Sequence, residues 1–338
     1  MGFNAVSLWI VALLPTLTLA GNNNSPSSGL PVEVIHEFPK GTWIENLVIR
    51  PSGAALAIDF STPNIFELPI SENSTPLLIH TFENSTGVSS IAESSYPDVY
   101  FVITGNFSFA NFSAIAGSYS IHRLNLDNPT GKPVVTQLEA LPNLIMPNGM
   151  IHIPNTPYVL IADSIAGIVY RFDTEELSLT KYFDDPLLKP SGTSLQCGVN
   201  GVKFSRDHFY FSNTNQELIA RVSVSGRNAT PQGSPQIVAS QTLVDDFIVN
   251  DRNGDIFIAE DGLNELAFVS ARGNSTVPKT VVGLPNSTAL AGPTAAVWAR
   301  GEEGRTLIVS TNGNLLGYLN GNHTIGGRIN LINVCAEH

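Results

Sequence analysis

Cationic side chains are scarce in this chain. Over 338 residues there are 17 Lys and Arg against 29 Asp and Glu, a formal net charge of −12. Nucleic-acid binding relies on Lys and Arg to neutralise phosphates, so that class of partner is not expected. Cysteine is nearly missing: Cys197 and Cys335 are the two present, too few for a disulfide-rich scaffold, and no spacing resembles a zinc site. In an oxidising compartment they form one disulfide, Cys197–Cys335; the alternative is two buried thiols. There is no Gly-x-Ser-x-Gly elbow of a serine hydrolase, no Gly-rich phosphate loop and no dinucleotide fingerprint. Helical periodicity is almost absent after the first 20 residues, which argues against a helical bundle or an α/β sheet.

Long apolar runs are also lacking, with one exception at the start. Residues 5–14 are mostly apolar and fade into small residues up to Ala20. A core of about ten residues fits a secretory leader, cleaved after Ala20, better than a membrane span of about twenty. The leader lacks the usual Lys or Arg before its apolar core. Residues 1–20 are therefore expected to be a signal peptide and residues 21–338 a single domain, with no membrane anchor after cleavage and a secretory or extracellular location.

What the chain does contain supports that route. Asn-x-Ser/Thr triplets occur at Asn23, Asn73, Asn84, Asn106, Asn111, Asn228, Asn274, Asn286 and Asn322. Each is a glycosylation acceptor if it lies on the surface. Nine glycans disfavour a large flat interface, so a monomer is expected.

β-Branched and aromatic runs alternate with Gly, Pro, Asn, Asp and Ser, the signature of strands and turns. A unit recurs: a polar pair, an apolar strand, a turn, a second apolar strand. Its anchor falls at Glu45, Ser89, Asn148, Asn200, Asp245 and Ala295, with spacings of 44, 59, 52, 45 and 50 residues. That is the length of a four-stranded propeller blade. The fold class is therefore all-β, a six-bladed β-propeller. A seventh blade has no room, and a two-domain sandwich does not explain the shared anchor. The strand-like segments 32–38 and 328–334 lie outside the six units and are expected to complete one blade together.

First strands line the channel of a propeller, so the anchors converge near one mouth. Glu45, Asn148, Asn200 and Asp245 bring oxygen ligands of the kind that Ca²⁺ or Mg²⁺ accepts. The alternative is that these residues only shape turns. Asp246 competes with Asp245, because a one-residue slip exchanges them. None of the seven histidines falls at an anchor.

The units Pro147-Asn148-Gly149, Ala162-Asp163-Ser164 and Gly167 to Arg171, with Val199-Asn200-Gly201 and Tyr210 to Thr214, resemble the senescence-marker-protein/gluconolactonase superfamily. The resemblance implies that Glu45, Asn148, Asn200 and Asp245 stand at that superfamily's metal-ligand positions, with Ca²⁺ in the central channel. Two departures alter the mouth: Glu45 is followed by Asn46-Leu47 rather than Gly-Pro, and Asp245 by Asp246 rather than Gly. The leader, the sequons, Trp43 to Asn46 and Asp245 to Phe247 look most like a secreted fungal branch of this superfamily. That branch includes the hetero-Diels–Alderases of tropolone-sesquiterpenoid biosynthesis.

The branch resemblance implies a cyclase joining a tropolone-derived ortho-quinone methide to a humulene-type olefin. Such a cycloaddition requires no cofactor; it needs two small apolar partners held in one orientation and a donor or cation at the enone oxygen. Wall candidates flanking the anchors are Trp43, Phe60, Phe247 and Trp298, for each of which ordinary packing is the alternative. Catalytic candidates are Asp245, Asp246 and Trp43. Phe107, Phe109, Phe112 and Tyr119 form either an apolar lid or an exposed glycan-bearing loop. The rival activities are a Ca²⁺-dependent lactonase or esterase, with Asp245 or Asp246 activating water, and a non-catalytic binding propeller.

Overall fold

A computed structural model describes residues 29–71, 74–128, 131–192, 196–315 and 324–334. Second strands such as Ala55–Asp59 and Thr306–Thr311 are buried at every position, because each is covered by a neighbouring blade on both faces. They read as unbroken apolar runs for that reason. Fourth strands such as Val134–Ala140 and Ser178–Phe183 have no buried position and mix polar with apolar residues. This inward gradient of apolarity wraps the chain into wedges.

There are six wedges, each an antiparallel four-stranded sheet. Blades 1 to 5 run outward in chain order, from inner strands Ile44–Ile49, Gly87–Glu93, Pro147–His152, Val199–Ser205 and Phe247–Val249. Blade 6 runs outward from Pro293–Trp298 and is closed by the N-terminal strand Val32–Lys40, which pairs antiparallel with Gly326–Asn333. The expected joint blade is present.

Six apolar clusters fill the six seams between neighbouring blades. Val169, Val202 and Phe209 lie between blades 3 and 4, for example, and Ile35, Ile44 and Ile329 between blades 6 and 1. The other seams are filled in the same way. A seventh cluster belongs to no seam. Trp43, Phe60, Phe107 and Ala114, with Phe109, Phe112, Met146, Ile165 and Leu315 packed against them, draw on blades 1, 2, 3 and 6 together. Residues from so many blades meet only over a mouth of the channel.

Candidate functional site

The anchors are anchors because each sits in a β-bulge. In blades 1, 2, 3, 4 and 6 the inner strand slips register just after it begins. In blade 5, Asp245 N donates to Ala259 O and Ala259 N donates to Asp246 O, both at 2.9 Å, so two residues face one. An extra residue in one strand re-aims its side chain. The bulged residues are Glu45, Ser89, Asn148, Asn200, Asp245 and Thr294. Blade 6 corrects the sequence reading: Pro293 pairs with Thr311 and Ala295 with Ser310, so Thr294 is the equivalent residue and Ala295 lies one step on.

The residues after the bulge form a second ring of Asn46, Ser90, Gly149, Gly201, Asp246 and Ala295. Asp245 and Asp246 thus both face the channel region at successive levels rather than competing for one place. At the lower level Lys203 Nζ donates to both Asp246 oxygens, at 2.7 and 2.6 Å, and Asn46 Nδ2 reaches Asp246 Oδ2 at 3.3 Å from blade 1. This Lys203–Asp246–Asn46 chain plugs the channel. A Cβ on Gly201 would lie 2.1 Å from Asp246 Oδ1, so glycine is required for the carboxylate to fit.

Above the plug lies an acidic floor. The Trp43 indole N–H donates to Glu45 Oε2. Asn200 Nδ2 donates to Asp245 Oδ1 at 2.7 Å and to Thr214 Oγ1 at 3.0 Å. Asp261 was not anticipated. It opens a single 3₁₀ turn, Asp261–Leu263, directly after the second strand of blade 5, and accepts from Asn312 Nδ2 at 2.9 Å. Its Oδ1 is buried without a partner. The signal was in the repeat: Asp261 follows the end of a second strand, where Ser164 and Thr214 stand in blades 3 and 4.

Burial pushes Glu45 up to about 8, opposed by the Trp43 N–H and reinforced by the charges of Asp261 and Asp246. Asp261 rises to about 7 through burial, opposed by Asn312. Asp245 lies well above the carboxylate range, first by burial and then by the charges of Glu45, Asp261 and Asp246. Burial raises all three acids, and repulsion among them adds to the rise of Glu45 and Asp245, which favours their protonated forms. A carboxyl so held donates a hydrogen bond as well as accepting one.

The expected metal ligands were Glu45, Asn148, Asn200 and Asp245, and all four lie on the bulge ring. Their oxygens suit a hard cation. As arranged, Glu45 Oε2 accepts from Trp43, and Asn200 turns its Nδ2 rather than its oxygen toward Asp245 Oδ1. Among the described residues no three or more His, Cys, Asp or Glu side chains are grouped to hold a metal ion. A cation bound by this set would need the Asn200 amide turned over, so that its oxygen rather than its N–H faces Asp245.

The apolar candidates divide. Trp43 and Phe60 are 6% and 9% exposed and belong to the mouth cluster, with ring centroids 5.5 Å apart. Phe247 is not a wall: it is fully buried in the seam between blades 4 and 5, because the strand alternates after the bulge and turns it away from the channel. Trp298 is not one either. It ends the inner strand of blade 6 at the opposite mouth, donates to Val249 O at 3.2 Å and lines a cavity of about 320 Å³ there. Tyr119 is a core residue rather than part of a lid; its ring fills the space beside Gly105, where a Cβ would lie 2.2 Å from it.

Cys197 is buried just before the inner strand of blade 4, and burial pushes its thiol up to about 12. Val334, whose amide donates to Arg305 O, directly follows the strand that ends at Asn333, at the far end of blade 6 from Thr311. Cys335 lies outside the described residues, as do the leader, Asn23, Asn73 and Asn322. Asn84, Asn111, Asn228, Asn274 and Asn286 are exposed, whereas Asn106 is half-buried and its Oδ1 accepts from Thr86 N at 3.1 Å.

No protein-family model matches the chain. A Phoma sp. protein named as a hetero-Diels-Alderase is 28% identical over 344 residues, covering 93% of this chain and 95% of the relative. A Sarocladium schorii protein of the same name is 26% identical over 328 residues, covering 86% and 80%. The fold is similar to a calcium-binding protein, regucalcin, from Agrobacterium tumefaciens, with TM-score 0.61, 18% identity and coverage of 90% and 95%. It is also similar to a luciferin-regenerating enzyme, with TM-score 0.64, 12% identity and coverage of 91% and 96%. At such identities the two structures bear on fold alone.

Proposed function

We propose that this chain is a cyclase that joins a tropolone-derived ortho-quinone methide to a humulene-type sesquiterpene by an intermolecular hetero-Diels–Alder reaction. One observation carries the reading: at one mouth an aromatic cluster outside every seam meets the acidic floor through the Trp43–Glu45 hydrogen bond. The whole-chain similarity to two proteins named as hetero-Diels-Alderases supports a cyclase.

The reaction joins the O=C–C=C unit of the quinone methide to the C=C bond of the olefin. One C–C and one C–O bond form, and no atom leaves. Nothing in it calls for a nucleophile or a redox group. What accelerates it is holding two partners at once in the reacting orientation, worth up to about 7–11 kcal/mol of barrier. A donor at the carbonyl oxygen adds to this by stabilising charge that grows there. The acidic floor supplies polar contacts for the oxygen-bearing partner, and the aromatic cluster excludes water on the other side.

The test is direct. The purified chain is mixed with a hydroxymethyl-tropolone precursor of the quinone methide and with humulene, and the rate and stereochemistry of the adduct are followed. Faster formation of one stereoisomer is expected; a rate and product distribution identical to buffer refute the cyclase. Hydrolysis of a simple lactone, abolished by a chelator, would instead establish the metal-dependent hydrolase.

A further inference from the structure

Residues 107–114 are an addition to the propeller. Their two short strands, Phe107–Ser108 and Ser113–Ala114, pair with each other and with none of the blade strands. The hairpin lies within the longest anchor spacing, the 59 residues from Ser89 to Asn148. It is pinned at its base: Phe107 N donates to Thr86 Oγ1 at 2.8 Å, Asn106 N to Ser118 Oγ at 2.9 Å and Ile115 N to Asn106 O at 2.9 Å. These bonds fasten its base to blade 2.

Its aromatic rings all turn to the mouth. Phe107 packs tilted or edge-on, with ring centroids 4.9 Å from Phe60, 5.1 Å from Phe109 and 5.2 Å from Phe112, and Trp43 lies 6.2 and 6.4 Å from Phe109 and Phe112. Phe112 adopts a left-handed backbone, φ 44°, which is unfavourable for a bulky side chain. Phe107 is buried, but Phe109 and Phe112 are half-exposed. Every seam between blades already has its own core, so these two rings are not needed to hold blades together. They are apolar surface presented beside an acidic floor.

Resting on the cyclase reading, we propose that this hairpin seats the apolar reactant and that Phe109 and Phe112 decide which cyclic olefin is accepted. An olefin has no hydrogen-bonding group, so only shape and aromatic faces can orient it. The quinone methide, with its oxygens, takes the floor of Glu45, Asn200 and Asp261. Trp43 touches both halves: its ring packs in the aromatic cluster and its N–H holds Glu45. It is a positioning residue that fixes the distance between the two partners.

The test separates the partners. In Phe109→Ala and Phe112→Ala, KM for humulene is expected to rise at least fivefold while KM for the quinone-methide precursor stays within twofold. Preference between humulene and a smaller-ring olefin should shift, and Phe→Leu at either site should recover most of the loss. A second readout does not depend on turnover: Trp43 fluorescence, in a Trp9→Phe, Trp298→Phe background, titrated with humulene alone. Quenching in that background that is lost in the Phe109→Ala variant supports the seat. If the wild type accelerates cycloaddition but neither variant changes olefin KM or quenching, the seat is wrong and the cyclase stands. If the wild type binds humulene through these rings but accelerates nothing, the cyclase fails and the seat stands.

Discussion

Lys203 is half-buried and pairs with a buried carboxylate. Both its contacts go to Asp246, whose side chain is 6% exposed, and its Nζ lies 5.7 Å from the Phe247 ring centre. Removing one partner of a buried pair strands the other charge, at about 3–5 kcal/mol, whereas removing both is far less harmful. Lys203→Met should therefore lower stability by about 3 kcal/mol in urea denaturation, and adding Asp246→Asn should restore most of it. Equal loss in the single and double variants would show that the plug is not held by this pair. At the same scale, His122 is kept neutral: burial lowers it to about 4, with Thr104 Oγ1 at 3.0 Å and the Phe82 ring at 4.8 Å. The unfolded chain binds a proton at that site at about pH 6.5 and the folded chain only near 4, so stability is full above the first value and falls as pH drops through the window. Denaturation midpoints of the wild type and His122→Gln, compared at pH 7.5 and 5, should diverge, with the wild type losing more on acidification. Parallel loss in both would acquit His122.

Among elements, the strands of the blades were legible because their pattern is imposed by burial. An apolar second strand flanked by turns recurs wherever a blade is covered on both faces, and that covering is common to all six. The bulges were legible only in part. A polar residue marks the bulge in all six blades, but in blade 6 it is Thr294, a small one whose hydroxyl is turned to the Ile44 carbonyl at 2.6 Å and to Ser310. Thr294 is the one polar residue of Pro293-Thr294-Ala295, so the polarity shared with the other anchors was the signal that placing the anchor at Ala295 passed over. Strand alternation defeated two more readings. Adjacency to an anchor placed Phe247 and Trp298 near the site, yet alternation sends the first into a seam and strand length carries the second to the opposite mouth. Asp261 escaped notice because it comes from the end of a second strand, not the start of a first. The hairpin at 107–114 could be seen as an aromatic-rich insertion, but its attachment depends on Thr86 and Ser118, and such pairings of single hydroxyls with backbone leave no periodic trace.

For the whole molecule, closure is what converts six wedges into one site. Glu45 and Asp245 stand in blades 1 and 5, and their spacing across blade 6 is set only if the ring is shut. The clasp is the N-terminal strand. Ile35 and Phe38 are 2% and 5% exposed in the seam between blades 6 and 1, and Glu37 Oε2 accepts from Arg328 Nη2 at 2.7 Å. A chain beginning at Gly41 would lose this strand and uncover the edge Gly326–Asn333, an invitation to pair with other chains. Losing two such buried side chains costs about 2–5 kcal/mol each before any backbone pairing is counted, comparable to the whole stability of an ordinary domain. Compared with a chain beginning at Gly29, the shorter one should elute as aggregates on size exclusion and melt without a cooperative transition. A synthetic peptide of residues 29–40 supplied in trans should restore a monomeric, cooperatively melting species, since it offers the same register to the open edge. A shorter chain that stays monomeric and melts at the same temperature would mean that blades 1 to 5, with three strands of blade 6, hold the ring without the clasp.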